Sequence, residues 1–180
     1  MAVSGIRVAI ITLSTRVSKG ERTDLGGETI ADFLKDKSMQ IVARHVLPDD
    51  KNALISRLQD ICDRAQADVV LTTGGTGLSP TDVTPEATLA VLEKRLTGFE
   101  VAMLMAGMQQ TPYAILSRAV AGARNKTIII NLPGNPKGAV ENLEAIVQAL
   151  PHAVRVLQAS QVADTEHNAP LGKGHSKTSP

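Results

Sequence analysis

Short β-branched runs alternate along this chain with segments of helical period, and that alternation restricts it to an α/β architecture. Residues 6–13, 41–47, 69–71 and 127–131 are such runs and read as buried strands. Between them Leu54, Leu58, Ile61, Cys62 and Ala65 recur at helical spacing, as do Val140, Leu143, Val147 and Leu150. Each set puts one apolar stripe on one helix face. Strands joined through helices pair in parallel by right-handed crossovers, with helices covering both faces of one sheet. The expected fold is therefore α/β, a three-layer α/β/α sandwich around a mostly parallel central sheet. A mixed stretch, residues 115–122, is a candidate extra edge strand. Cys62 falls on the core stripe and reads as an inert packing thiol.

The chain has 180 residues, which suits one domain with its own core. We expect that domain over residues 1–160 and a flexible polar tail over residues 161–180, where apolar periodicity stops. His167 and His175 in that tail read as solvated bystanders. Nineteen basic against eighteen acidic side chains leave a formal charge of +1, which argues against nucleic acid as a partner. Only Tyr113, Phe33 and Phe99 could stack on bases, and they are scattered. No apolar run reaches membrane-spanning length, and the first residues lack the order of a secretory signal. A single cysteine forms no internal disulfide, so a cytoplasmic location is the default.

In open α/β sheets ligands bind beyond the carboxyl ends of the strands, so the loops there carry the chemistry. The third loop reads Thr72-Thr-Gly-Gly-Thr-Gly-Leu-Ser-Pro-Thr-Asp-Val-Thr-Pro85. Gly74, Gly75 and Gly77 allow a sharp turn that presents backbone N–H groups to an anion. Alone, this signal also fits a plain tight turn; it matches neither the P-loop nor the dinucleotide fingerprint. Pro85 is placed at the first position of a helix carrying Leu89, Leu92 and Leu96, which makes Thr84 the N-cap. Asp82 is then not needed as a cap. It can close a local Asx turn or hold a magnesium ion against phosphates.

Similar reasoning applies to the other loops. Pro136 opens the last long helix with Asn135 as its cap, and Pro133-Gly134 is the bend that aims it. Of Asp49 and Asp50, one caps the helix beginning near Lys51. Position favours Asp50, although a one-residue shift of the helix start exchanges the two. The leftover carboxylate and Asp82 would form a pair facing two phosphate-friendly turns, which suggests metal-assisted phosphoryl or nucleotidyl transfer. Arg16 and Arg118 read either as phosphate clamps or as partners of surface carboxylates. Met103, Met105 and Met108, with Val101 and Leu104, form a soft apolar stripe for core or subunit contact.

Three motifs in this order, Thr72 to Gly77 with Asp82-Val-Thr-Pro-Glu-Ala87, Ile115-Leu-Ser-Arg118, and Leu132-Pro-Gly-Asn-Pro136, closely resemble the MogA/MoaB family of molybdenum cofactor biosynthesis. The resemblance implies a homotrimer whose MogA-type members adenylylate molybdopterin with ATP and Mg2+, with a molybdenum insertase as a possible downstream partner. By the same resemblance Asp49 and Asp82 match the acidic residues linked to metal and catalysis. Thr73, Gly74, Gly75, Thr76 and Gly77 match the nucleotide cradle. Ser117, Pro133, Gly134, Asn135 and Pro136 match segments lining the nucleotide and pterin pocket, and Ser14 and Arg16 match the first-strand loop. The chain departs from the family at Thr15, where many relatives carry Asp. Two rival readings are a MoaB-like pterin carrier without adenylyl transfer, and a nucleotide pyrophosphatase domain as in competence-damage-inducible proteins.

Overall fold

All four β-branched runs form strands in a computed structural model that describes residues 5–35, 37 and 39–159. The strands are β1 (Ile6–Leu13), β2 (Met39–Leu47), β3 (Val69–Thr73), β4 (Lys94–Arg95), β5 (Ala121–Arg124) and β6 (Thr127–Leu132). The helices are α1 (Thr15–Ser18), α2 (Leu25–Leu34), α3 (Lys51–Asp63), α4 (Thr84–Leu89), α5 (Thr97–Gln110), α6 (Pro136–Ile146) and α7 (Leu150–Gln158), with a 3-10 turn over Pro112–Leu116. The expected tail, residues 161–180, lies outside the described residues.

One sheet runs in the order β2-β1-β3-β6-β5-β4. β1 pairs in parallel with β2 and β3, and β3 with β6, while β5 and β4 continue the sheet antiparallel. Alternate residues of the central strands feed two cores. Val8, Ile10, Val69, Leu71, Ile128 and Ile130 pack with Ile30 and Leu34 of α2, Leu143 of α6 and Val154 of α7. Ala9, Ile11, Val70 and Ile129 pack on the other face with Leu54, Leu58 and Ile61 of α3 and Ala87 of α4. Two buried faces explain the near-continuous apolar strands, and the three-layer sandwich follows. Cys62 sits in the second core at 2% exposure, and burial raises its thiol pKa to about 11.

Two expectations change. The helix opened by Pro85 stops at Leu89, which is 44% exposed, rather than continuing to Leu96. The chain turns out of the helix so that it can pair with β5: Glu93 N–H donates to Ala123 O at 2.9 Å and Leu96 N–H to Ala121 O at 2.8 Å. Gly122 makes room for this, because a Cβ there would collide with Leu92 and with the Lys94 carbonyl. The second change concerns residues 115–122. They end a 3-10 turn and enter β5, which lies inside the sheet with β4 outside it.

Candidate active site at the carboxyl ends of the central strands

The chain leaves β1 for β2 on one side and returns to β3 on the other, so β1 and β3 flank the switch point of the sheet. A polar cleft of about 270 Å³ opens there, bordered by the ends of β1 and β3 and by the loops after β2 and β6.

The glycine turn after β3 forms one wall. Gly74 (φ 97°) and Gly75 (φ 65°) adopt the left-handed conformation, and a Cβ on Gly74 would strike the Leu13 carbonyl at the end of β1. Thr73 Oγ1 donates to Pro133 O at 2.8 Å, and Gly74 N–H donates to Leu132 O at 3.3 Å, which ties the turn to the loop after β6. Thr84 is not the N-cap of α4. It is the first helical residue, with Pro85 second, and Val83 stands at the cap position without a side-chain bond. Its buried hydroxyl instead donates to Gly74 O at 2.8 Å, and its amide to Gly75 O at 3.1 Å. The carbonyls of the turn are thus consumed from below. Among the described residues, the Gly75, Thr76 and Gly77 amides donate to no other group, which suits them to an anion.

Arg118 supports the same turn rather than facing the cleft. Its Nε donates to Gly77 O at 2.8 Å and one terminal nitrogen to Asp82 O at 2.9 Å, while the other pairs with Glu86. Its backbone N–H also reaches Thr76 O at 3.0 Å.

Each of the two acidic loops leaves one carboxylate oxygen unused. Asp50 caps α3, accepting from Ala53 N–H at 2.7 Å. That assigns the cap and leaves Asp49 at the cleft. Its Oδ2 accepts from the Thr15 amide and hydroxyl, both at 2.9 Å. Asp82 Oδ2 accepts from Ser79 N–H at 2.9 Å, so the Asx-type turn is present. Neither Oδ1 has a hydrogen-bond or ion-pair partner among the described residues, and both side chains line the cleft. No cluster of three or more His, Cys, Asp or Glu able to hold a metal occurs among the described residues. Two carboxylates still fit magnesium at a nucleotide site, since that ion normally takes its remaining ligands from phosphates and water.

The expected site residues divide between two hollows that share the glycine turn. Ser14, Asp49, Thr73, Gly74, Gly75, Asp82, Gly134 and Pro136 line the cleft. Thr76, Gly77, Ser117, Pro133 and Asn135 line a larger, mainly apolar hollow of about 540 Å³ walled by α5 and the 3-10 turn. Arg16 lines neither and points outward from α1. Asn135 caps α6 as expected, accepting from Lys137 and Gly138 amides, with Pro136 first in the helix.

Several cleft residues went unread in the sequence. Asp24 is one: it caps α2, and its Oδ1 accepts from Thr12 Oγ1 at 2.8 Å and from Gly27 N–H at 2.9 Å. Arg44 pairs with its other oxygen at 3.0 Å. An Asp three residues before Gly27, ahead of the apolar period Ile30 and Leu34, was the available capping signal. Arg22 also lines the cleft, without a pattern that announces it.

A family model described as "Probable molybdopterin binding domain" matches residues 9–152. The chain belongs to this molybdopterin-binding family. Within the family, it is 40% identical over 165 residues to a protein of Helicobacter pylori named molybdopterin adenylyltransferase, covering 91% of this chain and 94% of the relative. Among solved structures of the family, the molybdopterin biosynthesis enzyme MoaB of Thermus thermophilus superposes with a TM-score of 0.80 at 42% identity, covering 84% of this chain and 96% of that one. The Mog protein of Mycobacterium ulcerans gives 0.79 at 38%, covering 85% and 99%.

Proposed function

We infer that this chain is a molybdopterin adenylyltransferase, using ATP and Mg2+ to make adenylyl-molybdopterin with release of pyrophosphate. The observation that carries the reading is the pair Asp49 and Asp82, each fixed through one oxygen and open at the other, on a cleft bordered by a glycine turn with unpaired amides. The relatives' name supports the same conclusion.

In this reading the terminal phosphate oxygen of molybdopterin attacks the α-phosphorus of ATP in line. The new P–O bond forms as the bond to the pyrophosphate bridging oxygen breaks, and pyrophosphate leaves with the displaced electron pair. No covalent intermediate with the protein is required; the chain's task is to hold two anions together. The amides of Gly75 to Gly77 bind phosphate oxygens. Asp49 and Asp82 would hold the magnesium, which would supply neutralisation of phosphate charge. The apolar hollow beside Ser117 and Asn135 takes the pterin ring, so the shared turn brings the pterin's phosphate to the nucleotide. Ser14, Thr73, Gly134 and Pro136 shape the cleft, and Arg16 projects from α1 outside both hollows. We further propose a cytoplasmic homotrimer that delivers its product to a molybdenum insertase; among the described residues no helix is long and apolar enough to cross a membrane.

The deciding experiment is anaerobic incubation of the purified protein with molybdopterin and ATP, with and without magnesium, following adenylylated pterin by mass spectrometry and pyrophosphate by enzymatic assay. Product that requires magnesium is the expected result. Tight pterin binding without product would instead make the chain a carrier.

A further inference from the structure

Thr15 and Asp49 are 34 positions apart and joined three times. The Thr15 amide and hydroxyl each donate to Asp49 Oδ2 at 2.9 Å, and the Asp49 amide donates back to Thr15 Oγ1 at 3.1 Å. Next to them, Ser14 N–H donates to Leu47 O at 2.9 Å, so the loops after β1 and β2 are fastened side by side. The hydroxyl is central to this arrangement: it gives its proton to the carboxylate and receives the amide with a lone pair, a double role that a serine or threonine fills. Asp49 is not needed locally for capping, because Ser14 caps α1 and Asp50 caps α3.

We propose that Thr15 is the positioning residue for Asp49, binding Oδ2 to the β1 loop so that Oδ1 alone is turned to the cleft. This rests on the reading of Asp49 as a metal-holding carboxylate. A carboxylate on a loop rotates freely unless something fixes it, and partners that orient a metal ligand typically matter about 10–100-fold in affinity. The threonine at this position therefore acts through Asp49 and carries no charge of its own into the cleft.

The test uses Mn2+ as the probe, with binding to the full-length protein read by its paramagnetic resonance signal in the absence of substrate and by the metal-concentration dependence of turnover in its presence. Thr15→Val removes both hydroxyl bonds, Thr15→Ala removes them with less bulk, and Thr15→Ser restores them. Asp49→Ala is the reference. Expected are a loss of about 10–100-fold in Mn2+ affinity for Thr15→Val and Thr15→Ala, and recovery to within about threefold for Thr15→Ser, a rescue that general loosening of the fold does not give. If Asp49→Ala loses Mn2+ and both hydroxyl-free variants bind it as tightly as the parent chain, the positioning role is overturned while the metal reading survives. If Asp49→Ala itself binds Mn2+ undiminished, the metal reading of Asp49 fails, and the proposal fails with it. Melting curves on all four variants separate loss of the pair from loss of the fold, and Thr15→Ala serves if Thr15→Val does not fold.

Discussion

Two side chains illustrate how buried or constrained polar groups are divided between the fold and the site. Asn131 is fully buried in β6, where its Nδ2 donates to the hydroxyls of Thr72 and Thr88, both at 2.9 Å, and its Oδ1 accepts from Val120 N–H at 3.2 Å. It joins β3, α4 and the approach to β5 through one amide. Asn131→Leu strands those partners in an apolar core, and we expect it to cost about 2–4 kcal/mol in urea unfolding. Asp82 belongs to the other class. Asp82→Asn keeps an oxygen for the Ser79 amide and removes the charge, so turnover should fall by about two to three orders of magnitude while the melting temperature moves by less than about 3 °C. A variant that retains its rate and melts early would reduce Asp82 to a turn-maker. The capping residue Asn135 was legible in the sequence, because Pro136 and the helical period fix the start of α6. At α3, without such a proline, the choice between Asp49 and Asp50 waited for the structure. Thr84 was not legible: its hydroxyl found the Gly74 carbonyl, a partner ten residues back that only the folded turn brings near.

The elements show the same division. β1, β3 and β6 were readable because each is buried on both faces and composed of β-branched residues. β4 was not, since Lys94–Arg95 is two exposed residues long, and β5 was reached only at its first residues by the candidate strand over 115–122, since Ala121–Arg124 has neither alternation nor β-branching. Their pairing depends on Gly122 admitting the chain beside it. The glycine turn was legible as a turn, but its division between two hollows was not, because that depends on where α5 lies. β2 carries a feature with a measurable consequence. His45 Nε2 is buried without a partner among the described residues, and burial together with the nearby Arg57 guanidinium lowers the imidazole pKa against the opposing pull of Asp60. The folded state then binds its proton less readily than the unfolded chain. Stability from this group is fully present above the ordinary value of 6.5 and is lost as pH falls below it, through the depressed folded value. His45→Leu should flatten the melting temperature on the acid side of 6.5 and leave stability at pH 8 unchanged or higher. An unaltered acid slope would put the transition elsewhere.

At the scale of the whole molecule, one surface is out of keeping with the rest. Met103 faces the core at 1% exposure, while Val101, Met105 and Met108 of the same helix are 49%, 62% and 48% exposed. The 3-10 turn adds Tyr113 and Ile115 at 77% and 64%. The apolar stripe of α5 is therefore split, one side used within the chain and the other left outward, and large outward patches of this kind mark association surfaces. Val101 and Tyr113 also wall the larger hollow, so the patch and the proposed pterin pocket share a border. Sedimentation velocity should find a trimer across the micromolar range; a monomer at every concentration would reject the assembly. Met105 lines neither the hollow nor the cleft, so Met105→Glu puts a charge on the patch without touching either. We expect it to dissociate the trimer, because an unpaired carboxylate in an apolar contact is strongly disfavoured. Molybdopterin affinity measured on the dissociated chain then decides how the pocket is built. Affinity that falls with the trimer means that a neighbouring copy closes the hollow along its shared border. Affinity that survives means that each chain carries the pocket whole, and the apolar patch serves assembly alone.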